Sequence, residues 1–322
     1  MARLGFQRIS GDAWLEFEKV APAATFFATP AWAFAIHEVF PRLEPCPLSC
    51  ELPDGRLAVI PFCRSRNRLG WVMLHGMPFD GYTVISANGA KLEAHDVAFV
   101  LDAALQQGDE VIINYWPFVV PACRKANVTI AAETSALDLS GANEGGLKAI
   151  DPKSRRMADQ ALRKGATCAL ERGEIAAATY FSILESAAKE RWHRSAPTIR
   201  EDFLRAVFAF GGEAAQVWLV RYEGEAIAGG VALYGSQEVS LWTTATKPGM
   251  EILRPHNLLH KTIIEYAASR GIHWYNLNSS SGLQGVLRFK QALGARPIPY
   301  TIFGRRSRRF QVLRAIRTGR NP

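Results

Sequence analysis

The sequence lacks any run of about 18 consecutive apolar residues, the length that a membrane-spanning helix needs. Residues 1–17 contain no apolar stretch typical of a secretory signal, so we expect a cytoplasmic chain. Only five cysteines occur among the 322 residues, and they are scattered along the chain. An odd, dispersed set argues against a disulfide framework and favours free thiols in a reducing compartment.

Several catalytic motifs are also missing. No Gly-x-Ser-x-Gly sequence is present, which excludes the serine nucleophile that such a motif presents. His256 and His260 have the i, i+4 spacing of metal ligands on a helix, but neither a His-Glu-x-x-His motif nor a third ligand accompanies them. Cys46 and Cys50 likewise have no partner pair. We therefore expect no metal site.

Basic residues exceed acidic ones, giving a net charge of +8 and a pI of about 9.4. This excess favours acidic partners, such as a phosphate-bearing cofactor, a nucleotide-linked sugar, tRNA or an anionic membrane surface. Arginines are concentrated between Arg305 and Arg320, interspersed with apolar residues at i, i+3 and i+6: Phe310, Leu313 and Ile316. That pattern suits a peripheral helix at the inner membrane face. Nonspecific RNA binding and a disordered end remain alternatives, and we expect no specific DNA binding.

In the first half of the chain, helical and strand patterns alternate. A Thr29-Pro30 cap signal opens one helix, and Asp54-Gly55 between two apolar runs predicts a hairpin. The predicted helices are 11–20, 29–39 and 91–107, and the predicted strands are 47–52, 56–64, 70–74, 111–115, 128–131 and 135–139.

The second half follows a small, polar, glycine-containing segment at 140–150, where we place a domain boundary. Glu223-Gly224 predicts another hairpin, and Gly165 and Gly271 are helix stop signals. Pro255 suits a first helical turn. The predicted helices are 152–164, 174–190, 199–210, 255–269 and one ending at Gly294, and the predicted strands are 217–222, 226–234, 239–244 and 272–278.

The order and spacing of the motifs in 254–300 carry a family resemblance. Pro255-x-x-Leu258-Leu259, then Gly271 and an aromatic-Asn strand, then Gly285-x-x-x-Phe289-Lys290-x-x-x-Gly294 resemble the C-terminal acyltransferase domain of FemAB-like proteins. These belong to the GNAT superfamily, and the chain is similar to the branch called CelD-like. The resemblance covers about 145–303 and is weaker over 1–140.

The resemblance implies an α+β fold with two tandem GNAT-like domains, each a mostly antiparallel twisted sheet flanked by helices. We expect an N-terminal domain at 1–145, a C-terminal acyltransferase domain at 146–304 and a basic tail at 305–322. The two hairpins, at 47–64 and 217–234, are the best trace of a duplication.

The implied function is transfer of an acyl group to an amine or hydroxyl of a cell-envelope or exopolysaccharide precursor. The acceptor would be a nucleotide- or lipid-linked sugar or peptide, and the favoured donor is acyl-CoA. The GNAT signature Arg/Gln-x-x-Gly-x-Gly/Ala is absent, so aminoacyl-tRNA remains an alternative donor, as in FemAB-type peptidoglycan bridge ligases. The long helical-hairpin arm that tRNA-using members commonly carry is absent too. A non-catalytic membrane- or nucleic-acid-associated scaffold is the third alternative.

Site residues follow from the resemblance and from charge. Lys290 would polarise the acyl carbonyl, and His193 would accept the acceptor's proton. A helix start binds phosphate through its free N–H groups and dipole, which assigns the cofactor to Arg254, Pro255, His256, Asn257 and Leu258. Substrate contacts are assigned to Arg155, Arg156, Trp192, Trp242, Tyr275, Asn278, Ser279 and Phe289. The plainer interpretations are a surface lysine, ordinary helix capping and a solvated basic helix face.

Overall fold

The computed structural model describes residues 4–79, 81–141, 147–191, 196–197 and 199–312. The chain forms two compact units, one of residues 1–133 with 299–322 and one of residues 134–298. This division differs from the predicted boundary between residues 145 and 146. The reason is that Ala136–Asp138 pairs with a strand of the second unit, whereas Ile302–Arg306 pairs with a strand of the first.

Among its described residues, the first unit contains two groups of paired strands together with α-helices. Its elements are β1 (Gln7–Arg8), α1 (Gly11–Val20), α2 (Pro30–Val39), β2 (Glu44–Pro45), β3 (Leu48–Glu51), β4 (Leu57–Ile60), β5 (Cys63–Arg66), β6 (Val72–Gly76), β7 (Ser86–Ala87), α3 (Ala94–Ala104), β8 (Glu110–Asn114) and the start of β9 (Val128–Asp138). Strands β1-β3-β4-β7 form an antiparallel sheet. Strands β8-β6-β5-β2 form the other group, in which β6 and β8 are parallel.

Two strand predictions for this unit were wrong in detail. The strand expected at 56–64 is two strands, β4 and β5, in different sheets. Pro61 lies between them, and a proline cannot donate to a sheet ladder. The two short strands expected at 128–131 and 135–139 are the single strand β9.

The second unit contains a mostly antiparallel sheet with helices on both faces. Its elements are the end of β9, α4 (Pro152–Arg163), β10 (Thr167–Glu171), α5 (Gly173–Ser186), α6 (Glu201–Gly211), β11 (Ala215–Tyr222), β12 (Glu225–Tyr234), β13 (Glu238–Thr246), α7 (Pro255–Ser269), β14 (Trp274–Asn276), α8 (Gln284–Leu293) and the start of β15 (Arg296–Arg306). Strand order is β10-β11-β12-β13-β14-β9. Only the β13–β14 pair is parallel among these.

Side-chain alternation along β11 shows that α5 and α7 cover opposite faces of this sheet. The ring of Trp218 makes an edge contact with Tyr266 of α7. The next residue, Leu219, lies beside Gly229, where an added Cβ would be 2.8 Å from the Leu219 side chain and 3.0 Å from the ring of Tyr180 of α5. Successive strand residues point to opposite faces, so the sheet is enclosed between the two helices. An apolar core lies on the α7 side.

The basic tail predicted at 305–322 overlaps the end of β15. Arg305 and Arg306 belong to β15 and pair with Val111 and Glu110 of β8. The Arg306 Nε also donates to the Glu110 carboxylate at 2.7 Å. Residues 313–322 lie outside the described residues, so membrane contact through Arg305–Arg320 stays a prediction. In the described part of the chain, no helix combines the length and apolar character needed to span a membrane.

Candidate functional site

The strands β13 and β14 separate after a short parallel pairing. Their register runs from Glu238–Trp274 to Ser240–Asn276, and β14 ends there while β13 continues to Thr246. Past this point the side of β13 that faced β14 has no partner strand among the described residues. An opening beyond the carboxyl end of parallel strands is a usual place for a ligand in α/β sheets.

A β-bulge lies at the start of this opening. Val231 of β12 pairs with Thr243, whereas Ala232 pairs with Leu241, so Trp242 is the extra residue of β13. Bulges re-aim side chains and are over-represented next to active sites. The Trp242 ring makes an edge contact with Phe203 of α6, at 5.6 Å between ring centroids.

Helix α7 begins without a side-chain cap. A 3₁₀ turn at Met250–Leu253 leads into Arg254, which adopts a left-handed conformation at φ 57°, and Pro255 follows at the first helical position. The first turn contains no acidic residue. An uncapped helix start with a basic neighbour is a favourable place for an anion, because the helix dipole is positive there.

Helix α4 begins against the end of α8. Asp151 caps α4 by accepting from the Lys153 N–H at 2.8 Å. The Asp151 N–H donates to the Leu293 carbonyl at 2.9 Å, and the Ser154 Oγ donates to the Ala292 carbonyl at 2.7 Å. The last carbonyls of a helix need partners outside it, so these bonds fix the start of α4 beside α8.

A cavity of about 360 Å³ lies between these helix ends. Its lining residues are Lys153, Ser154, Met157, Thr246, Glu251, Arg254, Pro255, His256, Asn257, Phe289 and Ala292. The lining joins the end of β13, the uncapped start of α7, the first turns of α4 and the inner face of α8. The lining includes two cationic side chains, Lys153 and Arg254, and one carboxylate, Glu251.

The wall behind the cavity is aromatic. The Phe289 ring lies 5.9 Å from the ring of His256 and 5.3 Å from that of His260. His260 Nδ1 is hydrogen-bonded to the Tyr275 hydroxyl at 2.7 Å, and both side chains are buried. Burial, followed by the charges of His256 and Lys290, lowers the pKa of His260 well below its usual value. Burial raises the pKa of Tyr275 well above its usual value. The pair is therefore neutral near neutral pH.

Lys290 holds the turn that follows β14. Its side chain is only 6% exposed, and its Nζ donates to the carbonyls of Asn278 at 2.8 Å and Ser279 at 3.0 Å. Burial lowers the pKa of Lys290 to about 8. The predicted lysine is thus buried and bonded to the backbone, and it is not a surface residue of α8.

A polar network fixes the carboxyl end of β14 from the other face. The Asn276 Oδ1 accepts from the Thr134 Oγ1 at 2.7 Å, and its Nδ2 donates to the Glu238 carboxylate at 3.2 Å. Ser240 also donates to that carboxylate. All four residues are buried. Sequence reasoning did not find this network, because its members come from three separate strands.

The structure brings only some of the predicted site residues to the cavity. Arg254, Pro255, His256, Asn257 and Phe289 line it. Leu258 and Tyr275 belong to the apolar core instead. The helical period of α7 turns the Leu258 side chain toward the sheet. The Leu258 N–H is also not available to a ligand, because it donates to the Arg254 carbonyl.

The remaining predicted residues lie elsewhere. Arg155 and Arg156 are on α4 but are not among the lining residues, and Asn278 and Ser279 form the turn bound by Lys290. Trp192 and His193 lie outside the described residues. The binding or catalytic roles assigned to all of these residues stay predictions.

Two lining positions of α4, Ser154 and Met157, were not found from the sequence. The helix predicted at 152–164 agrees with the observed α4, but the signals behind it do not show which side of α4 faces the cavity. Among the described residues, no group of three or more His, Cys, Asp or Glu side chains is placed to hold a metal ion.

The second unit, residues 134–298, contains the part of the chain that matches a known protein family. Residues 152–291 match a family model described as "Acetyltransferase (GNAT) domain". No curated protein matches the sequence.

Among solved structures, FemX is similar with a TM-score of 0.67 and 11% identity, over 92% of this chain and 96% of that one. The C-terminal domain (DUF2156) of a putative lysylphosphatidylglycerol synthetase from Agrobacterium fabrum is similar with a TM-score of 0.57 and 11% identity, over 96% and 95%. A conserved protein of unknown function from Bacteroides thetaiotaomicron gives 0.57 and 9%, over 94% and 99%. These likenesses concern the fold, and the predicted mixed α/β, GNAT-like class is confirmed.

Proposed function

We propose that this protein transfers an acyl group from acyl-CoA to an amine or hydroxyl of a cell-envelope precursor, since residues 152–291 match a family model described as "Acetyltransferase (GNAT) domain". The observation that carries the proposal is the cavity at the uncapped start of α7, next to the opening between β13 and β14.

The lining residues fit the phosphates of such a donor. Lys153 and Arg254 provide two cations, and α7 adds the positive end of its dipole. Met157 and Phe289 supply apolar walls that keep water from one side of the cavity. When bound, acyl-CoA supplies a thioester as the activated acyl group.

The opening between the strands is where we place the acyl transfer. Trp242 at the bulge and Asn278 in the turn after β14 border it. The acceptor must lose a proton as its nitrogen or oxygen attacks the acyl carbon. His193 remains our proposed base, with water as the alternative.

The acceptor class is supported by the name of one structural neighbour. One structural neighbour is named as a putative lysylphosphatidylglycerol synthetase, and this name denotes a product that is a membrane lipid. We propose a nucleotide- or lipid-linked sugar or peptide as acceptor, including exopolysaccharide precursors. The arginines of 305–320 would favour contact with an anionic membrane surface.

Aminoacyl-tRNA is the second candidate donor. The segment 247–254 contains the 3₁₀ turn Met250–Leu253, followed by Arg254 in a left-handed conformation. Gly249 is its single glycine, whereas GNAT proteins usually carry a glycine-rich signature at this position. FemX is also among the structures with a similar fold.

A thermal-shift titration with acetyl-CoA, longer acyl-CoAs and UDP-sugars tests the donor. Ligand at about 100 times Kd stabilises the native state by about 2.7 kcal/mol, which is a measurable shift. We expect a shift with an acyl-CoA, and we expect Lys153→Ala to weaken that binding about tenfold, or ~1.4 kcal/mol.

The matched control is Arg163→Ala, which removes one charge from the exposed end of the same helix. It should leave binding unchanged. If no acyl-CoA stabilises the protein and charged tRNA does, acyl-CoA is not the donor. If neither binds, the scaffold interpretation gains support.

A further inference from the structure

The buried ammonium of Lys290 makes a clamp on the turn after β14. Its two hydrogen bonds end on consecutive backbone carbonyls, those of Asn278 and Ser279. Among the described residues, no carboxylate forms an ion pair with its Nζ. The backbone carbonyls therefore provide the partners that a buried charge requires.

The turn needs such support, because its backbone is strained. Asn278 has φ 58° and Ser281 has φ 47°, conformations that cost free energy for residues with a side chain. Asn278 is further fixed by its N–H, which donates to the Asn276 Oδ1 at 2.9 Å, and by its carbonyl, which accepts from the Ser135 N–H at 3.3 Å.

The side chain of Asn278 connects this turn to β13. Its Nδ2 donates to the Leu241 carbonyl at 3.1 Å. Leu241 directly precedes Trp242, the extra residue of the bulge. A continuous path of hydrogen bonds thus runs from α8 through the turn to the bulged backbone, across the point where the two strands separate.

We propose that Lys290 is a positioning residue, which fixes the Asn278–Ser279 turn and through Asn278 holds the β13 backbone at the bulge in the geometry used for acyl transfer. This assignment replaces direct polarisation of the acyl carbonyl. Lys290 is not among the residues that line the cavity, and two of its three N–H groups are occupied. The activity measurements below rest on the proposed acyl transfer, whereas the exchange measurement does not.

Hydrogen exchange of the full-length protein tests the clamp without any substrate. Lys290→Met removes the donors at similar side-chain length, and an apolar residue usually replaces a buried charge without unfolding the protein. We expect faster exchange at the amides of Asn278 and Ser281 and in Leu241–Thr243. The control, Arg288→Met, removes an exposed charge from the same helix and should leave these amides unchanged.

Turnover with acyl-CoA then shows whether the clamp matters for transfer. We expect Lys290→Met to lower kcat about 10²-fold, as a displaced site does, with little change in KM for the donor. Asn278→Gly keeps a residue that tolerates positive φ and removes the bond to Leu241. The double variant should lose little more than the worse single variant, because both changes break one path.

The pH dependence distinguishes positioning from base catalysis. Several ionisable groups lie on the elements around α8: Asp151, Lys153 and Arg155 at the start of α4, Glu251 and Arg254 before α7, His256 and His260 of α7, and Tyr275 of β14. The ratio of wild-type to Lys290→Met kcat cancels titrations that both proteins share. Burial sets the pKa of Lys290 to about 8, so a clamp that needs the ammonium makes this ratio fall as the pH rises through 8.

Three results would overturn the proposal: unchanged exchange in the turn despite lost activity, losses that multiply in the double variant, or a ratio that rises through pH 8. Absence of turnover or binding with every acyl-CoA in the wild type would instead refute the proposed donor. The exchange experiment would still decide whether Lys290 positions the turn.

Discussion

The buried hydrogen bond between His260 and Tyr275 provides a quantitative test of the core behind the cavity. Both side chains are at most 3% exposed, and Nδ1 and the hydroxyl are 2.7 Å apart. Tyr275→Phe leaves one ring nitrogen of His260 buried without this partner. An unsatisfied buried polar group costs about 1–3 kcal/mol, so we expect the free energy of unfolding to fall by about that amount.

His260→Phe should cost a similar amount, because it strands the Tyr275 hydroxyl. The double variant removes both polar groups and should be less destabilised than the sum of the single variants by roughly 0.5–3 kcal/mol. Urea unfolding of the full chain, in the transition that includes the second unit, measures all three. Tyr222→Phe is the matched control, since it removes a hydroxyl near the surface and should change stability by less than about 0.5 kcal/mol. Additive losses in the double variant would refute the coupling.

Two further predictions concern pH and backbone geometry. The lowered pKa of native His260 means that, below its usual value of 6.5, the unfolded state takes up a proton that the native state does not. As the pH falls from about 6.5, this group therefore lowers the free energy of unfolding by up to about 1.4 kcal/mol per pH unit. The free energy of unfolding of His260→Phe, measured against pH, should lack that contribution. Identical pH profiles for the two proteins would contradict the prediction. Gly294 caps α8 at φ 111°, and an added Cβ would lie 2.7 Å from the Ala149 carbonyl oxygen. In thermal unfolding, Gly294→Ala should lower stability by about 2 kcal/mol or more. The control Gly285→Ala, where an added Cβ meets open space, should not destabilise α8. Equal stability of the two variants would show that the contact at Gly294 is absent.

Local signals predicted the helices around the cavity accurately. The start of α7 at Pro255 and its end at Ser269 are as predicted, because a proline at the first position and Gly271 after the last turn are strong boundary signals. Helix α4 also begins at the predicted residue, with Asp151 as its cap.

Long-range contacts set the limits of the sequence prediction. The Phe289-Lys290 pair predicts Lys290 as a site residue, but the burial of Lys290 depends on how α8 packs against the turn at Asn278. Ser154, which the sequence did not indicate as a site residue, also has a partner far away in the sequence, the carbonyl of Ala292. Side-chain period shows which residues share a helix face, but it does not show which carbonyl they meet in the folded chain.

A crystal structure of the protein soaked with a non-transferable acyl-CoA analogue would test the central claim most directly. We predict that the diphosphate lies at the first turn of α7, within hydrogen-bonding distance of Lys153 or Arg254, with the acyl end at the opening between β13 and β14. The same structure would show whether the Lys290 bonds to Asn278 and Ser279 persist. An analogue bound away from the cavity at the start of α7 would contradict the account.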